Sequence, residues 1–306
     1  MYYPYLRGKQ NELILLREQA ELISKSKIIP IIEPVKKNLK PLNRAIDQLE
    51  SFNTEYIYVV NPICGEFTED NKDLINNIQK SENIIIGIII TAETNIDEII
   101  RYLFSFSNFK LALLHQGFTD GKELASKIKD FNIVKHVFVN TEQNKLYQRQ
   151  FKNQGDRILI RDSFRKTKNA NYPKGEHFSD LHITYEEENM DGFGDFLIVG
   201  DDYSTSGGPA YAIAIHLTYL QPMDDYNMYI KHYKSDRVEG VSDPGGKFLE
   251  ALKKLIDDIN SNPEIFNSNA CNEYKDLAEK EHFPGLGYAK KLSMQHHIEI
   301  LAKFLD

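Results

Sequence analysis

Eight short apolar runs recur along this chain, and most of the stretches between them have helical periodicity. In residues 27–35, KIIPIIEPV, an apolar run ends at Glu33. Similar runs occur in the segments YYPYLRG, EYIYVVNP, NIIIGIII, FKLALLHQ, VKHVFVN, RILIRD and DFLIVGDD. Repeated β-then-α units with short, right-handed connections predict either an open doubly wound sheet or a closed barrel.

Two features of these runs favour the barrel. The run IIIGIII at residues 84–90 shows no polar alternation, as is typical of parallel strands that are covered on both faces. No G-x-G-x-x-G motif follows the first run, so the best signature of a dinucleotide-binding sheet is missing. Eight strands in 306 residues predict an α/β fold, a (β/α)8 TIM-like barrel.

The periodicities give approximate bounds for each element. The first strand is predicted at 2–6, and the second lies in the run at 27–35. The third to eighth strands are predicted at 56–61, 84–90, 110–115, 134–140, 157–161 and 196–200. Barrel helices are predicted at 11–25, 41–52, 70–80, 96–106, 122–131, 144–152 and 247–259.

Three additions interrupt or extend the predicted barrel. Residues 163–195 form an enlarged β7–α7 loop with a basic stretch at 165–174, and a β-hairpin insertion at 211–234 follows strand 8. The glycines within 204–209 match no known phosphate-loop spacing. Residues 263–306 are predicted to be a C-terminal helical appendage, so the barrel itself is predicted to occupy 1–262.

Charge and cysteine content limit the classes of function. The 37 Lys and Arg against 45 Asp and Glu give a net charge of −8, which argues against nonspecific binding of duplex DNA. Only Cys64 and Cys271 occur, so a reducing, cytoplasmic setting is the simplest prediction. We expect no membrane association, because no run approaches the ~20 apolar residues of a spanning helix.

Side chains at the carboxyl ends of barrel strands converge on one mouth, where catalysis occurs in this fold. Polar residues stand at every predicted strand end. The predicted catalytic residues are Glu33, His115, Asp162 and Asp201, and the predicted substrate-binding residues are Arg7, Lys9, Asn61, Asn140 and Arg161. Thr91, Glu93 and Asp202 stand beside them in the sequence.

Each predicted role follows from side-chain chemistry. The carboxylates of Glu33, Asp162 and Asp201 would suit a hard divalent cation such as Mg²⁺, which prefers oxygen ligands. Arg7, Lys9 and Arg161 would balance a phosphate or carboxylate group. Neutral His115 would transfer a proton near pH 7. The structural alternative is that opposite charges at the mouth pair with one another and hold the loops.

Segments along the full chain resemble a bacterial and phage-associated family known as beta family proteins. The resemblance is carried by MYYPYLRGKQNELILLRE and HFPGLGYAKKLSMQHHIE at the two ends, by IIPIIEPVKKNLKPLNRAI, and by the DDY after the predicted eighth strand. It implies a barrel-like fold and occurrence near mobile elements or defence genes. It transfers no catalytic residue to this chain.

Two functional hypotheses follow. The first is a barrel enzyme that acts on a phosphorylated or nucleotide-like substrate, by metal-assisted hydrolysis of the phosphodiesterase type, in phage defence. The second is a non-catalytic binding or partner protein, a sensor or scaffold of a bacterial defence system, that uses the additions as its surface. Unpaired carboxylates at the mouth would favour the enzyme, and mutually paired charges would favour the binding protein.

Overall fold

A computed structural model describes residues 1–140, 145–204 and 211–306 of the chain. The glycine-containing segment noted above at 204–209 therefore lies outside the described residues except for Ser204. The chain divides into two compact units. The barrel unit comprises Met1–Asp162 and Thr184–Phe196, and the hairpin unit comprises Ser163–Ile183 and Leu197–Asp306. These units do not follow the predicted division at residue 262.

Eight parallel strands alternate with helices in the barrel unit, which is an α/β TIM-like barrel as predicted. Its first seven strands are β1 (Tyr5–Leu6), β2 (Ile31–Ile32), β3 (Tyr56–Val59), β4 (Ile84–Thr91), β5 (Lys110–Gln116), β6 (Ile133–Val139) and β7 (Asp156–Ile160). The eighth barrel strand is β9 (Gly192–Gly194), because β8 (Gly175–Ser179) belongs to the hairpin unit.

Helices follow the first six strands. They are α1 (Gln10–Lys25), α2 (Lys40–Ser51), α3 (Lys72–Asn76), α4 (Ile96–Ser105), α5 (Gly121–Lys127) and α6 (Lys145–Arg149). The predicted helices at 70–80 and 144–152 are therefore shorter than expected. The short α7 (Leu181–Thr184) ends where the chain returns to the barrel unit.

Backbone hydrogen bonds link the first and last barrel strands. The amide of Tyr3 donates to the carbonyl of Phe193 at 2.8 Å, and the amide of Phe193 donates to the carbonyl of Met1 at 3.1 Å. The approach needs a glycine, since a Cβ at Gly194 would lie 2.0 Å from the carbonyl oxygen of Tyr3. The predicted eighth strand at 196–200 is wrong, because the pairing segment is the less apolar one just before it.

Alternate side chains of the strands fill the barrel interior, as the two-residue period of a strand requires. The interior cluster includes Tyr3, Tyr5, Ile31, Ile57, Val59, Ile85, Ile89, Ala112, Leu114, Val137, Val139, Ile158, Ile160 and Phe196. Gly87 of β4 leaves room in this layer, since a Cβ there would lie 2.8 Å from the side chain of Ile57. The interior is thus a packed apolar core.

A three-stranded antiparallel sheet and the three C-terminal helices make up most of the described part of the hairpin unit. The predicted hairpin is confirmed as β10 (Ala214–Gln221) and β11 (Asn227–Lys234), and β8 pairs with β11 as a third strand. Short 3₁₀ turns lie at Asn169–Asn171 and Pro222–Asp224. The sequence predicted a loop where β8 lies.

The sheet of the hairpin unit shares one apolar core with α8 (Pro244–Ser261), α9 (Asn269–Glu279) and α10 (Leu286–Leu305). Ile215 and Leu217 of β10 belong to this core, as does Leu252 of α8. The shared core explains why α8, predicted as a barrel helix, groups with the C-terminal helices. Within the described part of the chain, every helix is too short or too polar to cross a membrane.

Candidate functional site

Glu33 lies at the carboxyl end of β2, where the sequence predicted it, and its side chain is fully buried. Its Oε2 accepts hydrogen bonds from the Tyr5 hydroxyl at 2.9 Å and from Arg7 Nε at 3.2 Å. Its Oε1 accepts from the amide of Ile63 at 2.9 Å and from the Cys64 thiol at 3.5 Å. Both oxygens therefore already have two donors each, as a buried carboxylate requires.

This carboxylate organises the chemistry of its neighbours. Burial, and then the negative charge of Glu33, raises the pKa of Cys64 to about 12. The same two causes raise the pKa of Tyr5 well above its ordinary value, so Tyr5 and Cys64 stay protonated as donors. The guanidinium of Arg7 also stacks near the ring of Phe196, with Cζ 5.3 Å from the centroid. The pair Arg7 and Glu33 is thus built into the packing of the barrel end.

The two predicted asparagines extend strand pairing with their side chains. Asn61 Nδ2 donates to the carbonyl of Ile89, and the amide of Ile89 donates to Asn61 Oδ1, both at 2.8 Å. Asn140 Oδ1 accepts from the amide of Asp162 at 2.7 Å. Each amide side chain takes the place of a peptide group beyond the last regular pair. Those atoms hold the strand ends together.

His115 lies outside the barrel interior, which corrects the prediction that it stands at the mouth. Its strand neighbour Leu114 belongs to the interior cluster, so His115 faces the opposite side by strand alternation. Its Nδ1 lies 2.6 Å from the Tyr147 hydroxyl, and its Nε2 lies 2.9 Å from Nδ1 of His136. Burial, and then the neighbouring His136, lowers the pKa of His115 well below its usual value. It is a neutral residue of the outer layer.

Arg161 and Asp162 follow β7 and have different surroundings. Arg161 pairs with Glu188, with Nη2 and Oε1 3.1 Å apart, and Glu188 also pairs with Lys145 at 3.1 Å. Asp162 is exposed. The predicted anion ligand Arg161 is therefore already engaged by a carboxylate.

Asp201 and Asp202 belong to the hairpin unit, so they are not strand-end residues of the barrel. Asp202 pairs with Lys166 at 2.6 Å. Among residues 1–140, 145–204 and 211–306, no three or more His, Cys, Asp or Glu side chains are grouped so as to hold a metal ion. The predicted metal set of Glu33, Asp162 and Asp201 thus gains no support from the described residues.

A cleft of about 580 Å³ opens beside this strand-end network, between the first turns of α1 and α2. It is formed by the loops that follow β1 and β2, which places it at the carboxyl ends of the barrel strands, the catalytic face of this fold. Leu13, Ile14, Val35 and Leu42 provide its apolar surface. We call this feature the α1–α2 cleft.

Four basic side chains and one acidic side chain line the α1–α2 cleft: Lys9, Arg17, Lys36, Arg44 and Glu66. Lys36 pairs with Glu66 at 2.9 Å. Arg17 and Arg44 are exposed, and neither forms an ion pair with a carboxylate of any described residue. The cleft therefore has two arginines whose positive charge no ion pair among the described residues neutralises.

Helix geometry adds to this positive potential. Lys9 is the residue before α1, and its amide donates to Glu12 Oε2 at 3.3 Å. α2 begins at Lys40, with Pro41 in its first turn. The amino end of α1 is thus capped by the carboxylate of Glu12, whereas the amino end of the 12-residue α2 opens toward the region of the cleft. Helix amino ends carry partial positive charge and favour anions.

Of the basic residues that line the cleft, Lys9 follows a barrel strand, whereas Arg17 and Arg44 lie on helices. Both lie on helix surfaces, where a charged residue is ordinarily solvated, so their position in the sequence gives no signal by itself. Only Arg44 has a visible signal in the sequence. It belongs to a basic stretch just after the second strand, formed by Lys36, Lys37, Lys40 and Arg44. The structure brings its last member to the cleft together with Arg17 from α1.

Comparisons with protein-family models, with curated proteins and with solved structures each found no match.

Proposed function

We propose that the barrel unit is a binding protein for a phosphorylated or nucleotide-like small molecule, held in the α1–α2 cleft. The observation that carries this proposal is the pair Arg17 and Arg44, which line the cleft without an ion-pair partner among the described residues. Arginine binds phosphate oxygens with two parallel hydrogen bonds, so two arginines and Lys9 suit a phosphate better than a single carboxylate.

A hydrolase function has weaker support. The oxygens of Glu33 are occupied by four donors, and Arg161 pairs with Glu188. Mutual pairing of the strand-end charges is the outcome that favours a binding protein or sensor over an enzyme. The cytoplasmic location and the role in phage defence remain predictions that rest on cysteine usage and on the family resemblance.

Pyrophosphate tests this proposal directly, because it presents the anion without a base or sugar. Isothermal titration calorimetry of the full chain should detect binding that weakens as salt rises from 25 to 150 mM, since exposed ion pairs are screened. The double variant Arg17→Glu/Arg44→Glu should bind at least about tenfold more weakly, which is about 1.4 kcal/mol.

Arg101→Glu is the matched control, because Arg101 is an exposed arginine of the barrel unit that does not line the cleft. It changes the net charge of the protein in the same direction. Failure to bind pyrophosphate, or an equal loss per charge in the control, would reject the proposal.

A further inference from the structure

The hairpin unit contains a cavity of its own, about 830 Å³ in volume, whose lining residues all belong to that unit. We call it the hairpin cavity. Much of its wall is aromatic or aliphatic, including Phe164, Tyr172, Ile213 and Leu286. A volume of this size is within the range of pockets that hold drug-sized ligands.

Lysines dominate the charged residues of the hairpin cavity. Among the described residues, Lys166, Lys168 and Lys290 line it, against the single carboxylate of Glu239. Lys166 is engaged by Asp202 at 2.6 Å, whereas the exposed ammonium group of Lys168 has no partner among the described residues. The cavity therefore combines an apolar wall with positive charge, which suits a ligand that has an apolar body and an anionic group.

One buried lysine fixes the edge of the cavity in place. Lys247 of α8 is only 1% exposed. Its Nζ donates to the carbonyls of Tyr211 at 2.5 Å, Glu239 at 3.1 Å and Gly240 at 2.6 Å. All three of these residues line the cavity. A charged group held by three carbonyls makes this part of the cavity pre-organised, which lowers the entropy cost of binding.

A series of hydrogen-bonded polar side chains ends at a residue of the cavity wall, His216. Arg165 Nη2 pairs with Glu176 Oε2 at 2.7 Å, and His232 Nε2 lies 3.1 Å from Glu176 Oε1. His232 Nδ1 lies 2.6 Å from Nδ1 of His216, which lines the cavity. His216 and His232 are both buried, and burial lowers the pKa of each, so both are neutral.

The order of donors along this chain is determined by the carboxylate. Glu176 accepts from the Nε2–H of His232, which leaves Nδ1 of His232 as an acceptor. The Nδ1–H of His216 must then donate to it, so Nε2 of His216 carries a lone pair. That Nε2 has no hydrogen-bond partner among the described residues. The atom is not fully enclosed, so it keeps some accessible surface. It is a fixed acceptor at the cavity wall.

We infer that the hairpin cavity binds a nucleoside monophosphate. The base lies against the aromatic wall, an N–H group of the base donates to His216 Nε2, and the phosphate binds Lys168 and Lys290. A fatty acid also has an apolar body and an anionic group, but it has no donor for a fixed acceptor on the wall. Leaving that acceptor unpaired would cost affinity.

Calorimetry of the full chain with AMP, GMP, CMP and UMP tests this inference. At least one nucleotide should bind with a dissociation constant below 1 mM, and its nucleoside and ribose 5-phosphate should each bind at least about tenfold more weakly. An analogue with its base N–H groups methylated should lose a similar factor. These ligand changes probe His216 without altering the folded protein.

Lys168→Glu should weaken nucleotide binding at least about fivefold, whereas Lys253→Glu should leave it unchanged. Lys253 is an exposed lysine of α8 that does not line the cavity, so it matches the change in charge. Equal binding by the two variants, binding of oleate in preference to every nucleotide, or no nucleotide binding would overturn the inference.

The Arg17→Glu/Arg44→Glu variant separates this site from the α1–α2 cleft. Nucleotide binding that survives in this variant and falls in Lys168→Glu supports the hairpin cavity. The reverse result would assign the nucleotide to the cleft, which overturns this inference and leaves the proposed function standing.

Discussion

The guanidinium Nε of Arg7 lies 3.2 Å from the Glu33 carboxylate at a point in the barrel where the Glu33 side chain has no exposed surface. A pair this deeply buried gains little net stability over an apolar pair, but removal of one partner leaves the other charge uncompensated. Glu33 is therefore held in place by its partners, and both oxygens of its carboxylate are fully hydrogen-bonded.

Glu33→Ala should lower the free energy of unfolding by roughly 3–5 kcal/mol, because Arg7, Tyr5, Cys64 and the amide of Ile63 would all lose the buried carboxylate that accepts their hydrogen bonds. Urea unfolding followed by far-UV circular dichroism measures the change. Glu93→Ala is the control, since Glu93 is exposed and its side chain has no ion-pair partner among the described residues, and it should change stability by less than about 0.5 kcal/mol. A similar effect of both variants would contradict a buried pair.

Cys64 should react slowly with iodoacetamide at pH 8. Burial and then the charge of Glu33 raise the pKa of its thiol to about 12, so only about one thiol in 10⁴ is ionised at this pH. Mass spectrometry of the labelled peptide gives the rate. Denaturant should accelerate labelling at least about a hundredfold, and Glu33→Gln should accelerate it in the folded protein. Fast labelling of the folded chain would contradict the thiol's role as a donor.

Stability should fall as the pH drops from 7.5 to 5. Burial is the largest cause that lowers the pKa of His136 to about 3 and of His296 to about 4. Between these values and the ordinary 6.5, the unfolded chain binds more protons than the folded chain, so acid favours unfolding. At pH 5 each histidine accounts for roughly 2 kcal/mol.

Denaturant midpoints at several pH values measure this dependence. His282→Gln is the control, because His282 is exposed and its replacement should leave the pH profile unchanged. A midpoint that stays constant from pH 7.5 to 5 would show that these histidines are not buried in their neutral form.

Gly194→Ala should destabilise the barrel by more than about 3 kcal/mol, because the new Cβ would meet the backbone of Tyr3 where the first and last strands pair. Gly175→Ala is the control within a strand, since its Cβ would lie 3.4 Å from the nearest atom, the carbonyl oxygen of Ile230. Thermal unfolding compares the two variants. Equal melting temperatures would mean that the last strand does not close against the first.

The sequence predicted the first seven barrel strands because each is a run of apolar residues covered on both faces. It failed at the eighth, because Gly192–Gly194 contains only one apolar side chain of any size. Its place in the sheet depends on backbone bonds to Met1 and Tyr3 and on the space left by glycine. Such tertiary requirements have no local pattern. The more apolar stretch beginning at residue 196 therefore has the stronger strand pattern in the sequence.

The sequence predicts which residues follow the barrel strands better than it predicts which side chains line a cleft. The structure places Glu33, Arg7 and Lys9 just after the barrel strands that the sequence predicts for them, and their roles stay predictions. His115 lies one residue away from an interior position of its strand. The sequence of a buried strand with apolar residues on both faces does not show which face is interior. Gln116, the next residue, has the alternation expected of the interior. Arg17 and Arg44 come from helices, and strand-end reasoning cannot find them.

The order in which a ribosome releases this chain has consequences for its assembly. When residue 162 has emerged, seven strands exist, but the strand that joins β7 to the amino terminus is still missing, and two sheet edges remain open to other chains. The segment Ser163–Ile183 must then wait for Leu197–Asp306 before its own unit is complete. Each unit consists of two separate chain segments, so no single truncation point yields one whole unit. A truncated form that ends near residue 162 would lack β9 and would leave both sheet edges exposed.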